Sequence, residues 1–220
     1  MAKILLIETS TALCSVALSI DGKVASSRES DLDRRHASLT AVFCSEVLQE
    51  CGLRAADLDA VCISDGPGSY TGLRVGLSTA KGLCFGAGLK LLSISSLDVL
   101  ADMADGAESA IVPMIDARRM EVYTAVYDAS ACRQTEIEAR VIEEGAYAEM
   151  PDSTVFIGDG ALKCKDAIGK GRFVEAYPKA SAMAGRAEKE YAAGNFRDVA
   201  YFEPFYLKEF VATTSKKKLF

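Results

Sequence analysis

The chain has 220 residues, half of them apolar and a quarter charged, with a formal net charge of −6. This composition is typical of a folded globular protein with one large core or two modest ones, and it excludes a disordered chain. Because phosphate neutralisation supplies most nucleic-acid affinity, the acidic balance argues against strong RNA binding by the chain alone. The short basic runs Arg34-Arg35, Arg118-Arg119 and Lys216 to Lys218 are interpreted as solvated surface.

The cysteine and histidine content limits the kinds of site that the chain can form. Seven cysteines occur without a Cys-x-x-Cys pair, and no apolar stretch approaches the length that spans a bilayer. No cleavable leader precedes the first strand, so we expect a cytoplasmic protein with reduced, buried cysteines and no membrane contact. His36 is the single histidine, so no cluster of the kind that holds zinc or iron is formed, and we predict no metal site.

The first hundred residues predict a mixed sheet with helices. Asp21-Gly22 supplies a hairpin turn between two strand patterns, and Gly52 ends a segment with helical periodicity. The predicted elements, in chain order, are strands at 3–9, 16–20 and 23–29, a helix at 36–51, a strand at 60–64, a helix at 71–85, a strand at 89–94 and a short helix at 96–103.

The pattern begins again after Asp105-Gly106. When Glu8 is set against Asp116, residues 16–18 fall against 124–126, and both copies are an apolar strand, an acidic end, a polar turn and a second strand. This weak repeat predicts two related lobes, residues 1–103 and residues 104–220. The second lobe is predicted to be the smaller, with strands at 135–142 and 154–157, helices from about 161 and at 180–193, and one possible strand at 205–207.

Three motifs resemble one known family. They are Ile7-Glu8-Thr9-Ser10, the run from Asp65 to Gly76, which contains Gly-Pro-Gly-Ser-Tyr-Thr-Gly-Leu-Arg-Val-Gly, and the run from Asp116 to Tyr123. Together, and in this order over essentially the whole chain, they resemble the TsaB (YeaZ) family of tRNA threonylcarbamoyladenosine biosynthesis proteins. The resemblance implies an α/β fold of the actin-like ATPase (ribonuclease H-like) type, with two βββαβα-type lobes of which the second is reduced. It also implies a close relation to TsaD, the catalytic subunit of the same pathway.

The resemblance also implies a function and a set of partners. The chain would be a non-catalytic subunit that dimerises with TsaD and acts with TsaE to support threonylcarbamoyl transfer to the tRNA adenosine beside the anticodon. ATP and metal would be held by the partner subunits, and tRNA would be contacted only through the complex. A homodimer is expected when TsaD is absent. Whether the tail at Lys216 to Lys218 contacts tRNA stays open.

Four residues are candidates for a vestigial phosphate site, namely Thr9, Ser10, Gly66 and Gly68. Hydroxyls and backbone N–H groups at a strand end, and a glycine loop that opens onto a helix N-terminus, can bind anions. The alternative is a polar hairpin turn and a tight strand-to-helix turn with Thr71 as the N-cap. The P-loop lysine spacing is absent, so a catalytic P-loop is excluded while weak nucleotide binding stays open.

The helix at 71–85 is the most informative element. Only Arg74 and Lys81 are charged in it, and Gly72, Gly76 and Ala80 form a small-residue ridge that would let the helix at 36–51 approach. Its apolar surface predicts burial on nearly every side, either by a partner chain or by the second lobe. In the TsaB family these two helices form the dimer face, so the candidate interface residues are Leu39, Phe43, Val47, Leu73, Arg74, Leu77, Ala80 and Lys81.

His36 matches the first of two helical metal histidines in TsaD-like relatives, but Thr40 stands where the second would be, so that metal site is not carried over. One alternative function is a small actin-fold ATPase or kinase. It needs a catalytic carboxylate and an adenosine-binding glycine-rich segment in the second lobe, and Asp116 and Gly158-Asp159-Gly160 have the residue types for these roles. Another is a peptidase, a label that relatives of the family have carried. Proteolysis needs an activated nucleophile or a metal-bound water, and the sequence assembles neither.

Overall fold

The computed structural model describes residues 2–31 and 35–208, so Arg34 and the tail at Lys216 to Lys218 lie outside the described residues. The first sheet has the strand order β3-β2-β1-β4-β5; β1, β2 and β3 are antiparallel, and β1, β4 and β5 are parallel. Its elements are β1 (Lys3–Glu8), β2 (Cys14–Ile20), β3 (Lys23–Ser30), α1 (His36–Glu50), β4 (Ala60–Ser64), α2 (Tyr70–Ala87), β5 (Lys90–Ile94) and α3 (Ser96–Asp102).

The second sheet repeats the first. Its order is β11-β10-β6-β7-β9, with β6 in the central position that β1 occupies in the first sheet and β8 paired to the end of β6. Its elements are β6 (Ala110–Asp116), β7 (Glu121–Thr124), β8 (Tyr127–Asp128), β9 (Glu138–Val141), β10 (Val155–Ile157), α4 (Lys165–Ile168) and β11 (Arg172–Val174), and they are followed along the chain by α5 (Ala184–Ala193). The predicted pair of βββαβα-type lobes is confirmed, and α4 is a single turn, which makes the second lobe the reduced one.

The central strand explains why the first lobe needs helices on both faces. Every residue of β1 after Lys3 is buried, and alternate side chains point to opposite faces of the sheet. Leu5 and Ile7 pack in a core with α1 and α2, whereas Ile4 and Leu6 pack in a second core with α5. Each such aliphatic side chain contributes about 1.5–3 kcal/mol when fully buried, so losing either layer of helices would expose a large part of the core.

The C-terminal part of the chain returns to the first sheet. Ala184 and Ala187 of α5 lie in the core against β1, and Arg186 donates to both carboxylate oxygens of Asp102 at 2.5 and 2.9 Å. The division at residue 103 therefore describes the two sheets but not the path of the chain, because residues 180–193 belong to the first lobe. The sequence pattern could not place this helix, since its alanines fit either lobe.

Several local predictions differ from the structure. Residues 205–207 do not form a strand: Arg197 occupies the edge of β5 through its bridge to Leu91, and Phe205 donates to the Asp65 carbonyl in the loop after β4. Strands β8 and β11, two and three residues long, were missed. The late helix begins as a 3-10 turn at Ala180–Met183. Within residues 2–31 and 35–208, no helix is long and apolar enough to cross a membrane.

Candidate functional site

A cleft of about 880 Å³ lies between the two lobes. Its walls come from the turn after β1, the loop before α2, the start of α1, the β6–β7 hairpin and the C-terminal segment. The two acidic strand ends that the repeat aligned, at Glu8 and Asp116, therefore approach the same cleft from opposite lobes.

The turn after β1 makes most of its polar contacts within the first lobe rather than toward the cleft. Thr9 is buried, and its hydroxyl donates to the carbonyl of Gly72 at 2.8 Å, which ties the strand end to α2. Ser10 is also buried and lines the cleft, and its Oγ has no partner among the described residues. Of this predicted pair, Thr9 is engaged with α2, and Ser10 borders the cleft with its hydroxyl buried.

Glu8 is a fully buried carboxylate behind this turn. One oxygen accepts from the Ser10 N–H at 2.5 Å, and the other has no partner among the described residues. Burial raises the pKa of Glu8 from 4.5 to about 7, because the charged form loses its hydration. The side chain is absent from the cleft lining, so Glu8 supports the turn from within.

Of the two candidate glycines in the loop before α2, one lines the cleft and the other contacts the C-terminal segment. A Cβ on Gly66, whose φ is +111°, would lie 2.8 Å from the carbonyl oxygen of Phe205, so this glycine admits the C-terminal segment rather than a ligand. Gly68 lines the cleft and lies against Ser10. The predicted N-cap at Thr71 is wrong: the N-cap is Ser69, two residues earlier, and its side chain accepts from Gly72 N at 3.3 Å. Phosphate binding by Ser10 and Gly68 stays a prediction.

The second lobe contributes a braced acidic strand end. The Asp116 carboxylate pairs with Lys163, and its backbone N–H donates to Asp159 at 2.9 Å. Burial raises the pKa of Asp159 to about 6, and the nearby Asp116 charge adds to the shift. Both carboxylates are thus engaged within the lobe.

The C-terminal segment crosses the cleft and contacts both lobes. Phe205 N donates to the Asp65 carbonyl at 2.8 Å, and the Tyr206 ring lies 4.9 Å from that of Tyr70. On the other side, Lys208 pairs with Glu121 of β7. The segment narrows the cleft between the lobes, which sequence reasoning did not foresee.

The eight candidate interface residues fall into two groups. Four of them are buried in the chain's own core, where they join α1 and α2 to the sheet: Val47, Leu73, Leu77 and Ala80. The remaining four are half-buried or exposed: Leu39, Phe43, Arg74 and Lys81. Arg74 stacks on Tyr70 and donates to the Tyr206 hydroxyl at 3.3 Å, and Lys81 donates to the carbonyl of Ala200 at 2.9 Å.

The small-residue ridge of α2 packs against a different element from the one predicted. Gly72 and Gly76 face Thr9, and a Cβ on either would overlap that residue, so the ridge admits the strand end rather than α1. The opposite side of α2 is solvent-exposed in the single chain, so the second lobe does not bury it, and its burial by a partner chain stays a prediction; the exposed residues are Thr71, Arg74, Ser78, Gly82 and Phe85. Phe85 is 89% exposed and Val42 of α1 is 48% exposed. Sequence reasoning missed both as surface residues.

His36 is the first residue of α1 and lines the cleft. The Thr40 hydroxyl four residues later is buried and donates to the His36 carbonyl at 2.7 Å, so it stabilises the helix start. Among the described residues, no group of three or more His, Cys, Asp or Glu side chains could hold a metal ion.

Comparison with known proteins places the chain in a family. A model of the family described as TsaD, tRNA N6-adenosine threonylcarbamoyltransferase, matches residues 29–201. The tRNA threonylcarbamoyladenosine biosynthesis protein TsaB of Escherichia coli (strain K12) is 33% identical over 96% of each chain. The solved structure of YeaZ from Pseudomonas aeruginosa is 26% identical, with a TM-score of 0.82 over 94% of this chain and 100% of that one.

A remote structural neighbour supports the wider fold. The activator of the 2-hydroxyisocaproyl-CoA dehydratase from Clostridium difficile, solved with bound ADPNP, is 8% identical with a TM-score of 0.50, covering 87% of this chain and 97% of that one. That likeness concerns the fold alone, which is the actin-like ATPase type with two related lobes. With the near-complete match to the Escherichia coli protein, the chain belongs to the TsaB (YeaZ) family of tRNA threonylcarbamoyladenosine biosynthesis proteins.

Proposed function

We propose that the chain is a non-catalytic subunit of the machinery that makes threonylcarbamoyladenosine in tRNA. It holds a TsaD-type catalytic partner in its active arrangement, and with TsaE it supports transfer of the threonylcarbamoyl group to the adenosine beside the anticodon. The name of the Escherichia coli relative, similar over 96% of both chains, supports the pathway. The single observation that carries the scaffold role is the exposed apolar surface on the two first-lobe helices.

We define the α1–α2 face as the solvent-exposed stripes of the two neighbouring helices. It includes Phe85, Val42 and the small residues Ala41, Ser45, Ser78, Gly82 and Gly86. A phenylalanine that is 89% exposed forgoes the free energy of burying its ring, and a protein partner that covers Phe85 and the 48%-exposed Val42 would recover this free energy. The interface proposed earlier therefore shifts outward, keeping Leu39, Phe43, Arg74 and Lys81 at its edges.

Two glycines on this face favour a closely packed partner helix. A Cβ added to Gly82 or Gly86 would meet nothing within 4 Å, so the chain's own packing does not require either glycine. A glycine inside a helix costs about 0.5–1 kcal/mol relative to alanine. A helix that approaches from outside at close range would use the space that the missing side chains leave, which gives these glycines a role at an interface.

The division of labour follows from what the chain offers for chemistry. His36 is its single histidine, and the cleft is narrowed by the segment from Phe205 to Lys208. ATP and metal are accordingly assigned to the partner subunits, tRNA is contacted only through the complex, and the chain acts in the cytoplasm. Without TsaD, the same face supports a homodimer, since a twofold axis can pair one apolar stripe with a second copy of itself.

A small actin-fold ATPase or kinase is the second candidate. The 880 Å³ cleft favours it, since the cleft leaves room for a phosphate-bearing ligand. Tight ATP binding with turnover by the isolated chain would replace the scaffold proposal. Weak binding without turnover is compatible with the scaffold role.

Light scattering of the chain mixed with TsaD from the same organism tests the proposal. We expect a 1:1 complex that Phe85→Asp abolishes and that Val141→Asp, which charges a 59%-exposed valine of the second lobe, leaves intact. Leu77→Asp is unsuitable because Leu77 is a core residue. A folded Phe85→Asp variant that still binds TsaD at full affinity would contradict the proposed face.

A further inference from the structure

The hairpin between β6 and β7 carries two arginines in an unfavourable backbone conformation. Arg118 has φ +73° and Arg119 has φ +52°, both in the left-handed region that glycine and asparagine tolerate best. Non-glycine residues held in such a region persist where the surrounding structure enforces them, and they concentrate at functional sites.

The surrounding structure does enforce this turn. Lys163, from the short helical segment after β10, donates to the carbonyls of Arg119 at 2.7 Å and Glu121 at 2.8 Å and pairs with the Asp116 carboxylate. The same oxygen of that carboxylate, Oδ1, also accepts from Arg118 N at 2.8 Å. A single lysine thus fixes both ends of the hairpin, so the two arginine side chains project from a rigid base.

The two guanidinium groups lack partners. Within residues 2–31 and 35–208, neither Arg118 nor Arg119 makes a side-chain hydrogen bond, ion pair or ring contact, and both are exposed. The neighbouring carboxylates are engaged elsewhere: Asp116 with Lys163 and Glu121 with Lys208. In a chain of net charge −6, this tip is a local pair of uncompensated positive charges. Asp159 is the remaining acidic group nearby, and it accepts the Asp116 N–H.

The hairpin also borders the cleft between the lobes. Arg118 lines this cleft together with His36, the first residue of α1, and Thr71, the second residue of α2, whereas Arg119 is not part of the lining. A small ligand held in the cleft would meet Arg118 alone. An extended polyanion fits the exposed pair better, because it can contact both guanidinium groups.

We propose that the Arg118–Arg119 hairpin binds backbone phosphates of the RNA substrate in the assembled complex. This inference rests on the proposed function, because the chain alone carries a net charge that opposes RNA binding. Paired guanidiniums on a preorganised turn match phosphate geometry and lose little conformational freedom on binding. The interpretation of Arg118-Arg119 as solvated surface is confirmed for the single chain, and the proposal adds a ligand for this surface in the complex.

The test uses tRNA affinity of the purified complex between about 50 and 200 mM salt. The variant Arg118→Gly with Arg119→Asn removes both charges and places residues that tolerate positive φ, so its melting temperature should equal or exceed that of the wild type. The matched control Lys23→Ala with Arg54→Ala removes two exposed charges near the opposite end of the first sheet. We expect roughly five- to tenfold weaker tRNA binding for the hairpin variant and a salt slope smaller by about 1.4–1.8, from 0.7–0.9 per lost phosphate contact.

The outcomes separate the possibilities. The charge-preserving variant Arg118→Lys with Arg119→Lys should keep the salt slope, and the surface control should leave affinity unchanged. A hairpin variant that binds tRNA like the wild type while assembling normally overturns this inference alone. A hairpin variant that loses ATP binding but keeps tRNA binding also overturns it, because the ligand is then a nucleotide. A wild-type chain that does not assemble with TsaD refutes the proposed function and this inference together.

Discussion

The Gly82→Ala variant should have opposite effects on the stability of the isolated chain and on its affinity for a partner. The added Cβ meets nothing within 4 Å, so the substitution removes the helix penalty of glycine without a clash. We expect the isolated chain to gain about 0.5–1 kcal/mol. For a chain of this length, that corresponds to a rise in melting temperature of about 1–4 °C.

The same methyl group should weaken the complex. If a partner helix packs against α2 at close range, an extra carbon at the contact costs about 1–3 kcal/mol, or roughly a 5- to 150-fold weaker affinity for TsaD. Differential scanning fluorimetry and isothermal titration calorimetry measure the two effects. Gly185→Ala is the matched control, because its Cβ is equally unobstructed but lies on α5. A stabilised Gly82→Ala variant with unchanged affinity would refute the assignment of this face.

Three further predictions concern the fold and the cleft. Gly72→Ala should destabilise the chain by at least about 2 kcal/mol in denaturant unfolding, because its Cβ would overlap the Thr9 carbonyl oxygen. The pKa of Glu8 is raised to about 7, so the folded state keeps a proton that the unfolded state loses, and stability should fall by about 3 kcal/mol between pH 4.5 and 7. The Glu8→Gln variant should lose less stability over this pH range. An unchanged pH dependence would show that another group causes the fall. Lys163→Met should speed amide exchange in the β6–β7 hairpin by removing both carbonyl bonds, and unchanged protection would contradict the bracing role.

The parts of the fold that follow from local pattern were predictable. Strands such as β1 and β6 are continuous apolar runs that end in a carboxylate, and the alignment of Glu8 with Asp116 revealed the repeated lobe. The reduction of the second lobe was also visible in its irregular pattern. The position of α5 was not predictable, because the pattern of a short alanine-rich helix fits either sheet equally well.

The candidate site was harder to predict, because its features depend on which way side chains point in three dimensions. Periodicity grouped Gly72 with Gly76 correctly, but it could not reveal that Thr9 lies beneath them. That contact turns Phe85 and Gly82 outward to solvent. The unfavourable backbone at Arg118 is likewise invisible in sequence, since neither neighbour is a glycine or asparagine that would announce a left-handed turn.

The most direct test of the central claim is the amount of threonylcarbamoyladenosine in total tRNA, measured by liquid chromatography and mass spectrometry in a strain that lacks the chain. The account predicts that the modified nucleoside falls sharply on deletion and is restored by the wild type and by Val141→Asp, but not by Phe85→Asp. Normal levels of the nucleoside in the deletion strain would contradict the claim that this chain supports the modification.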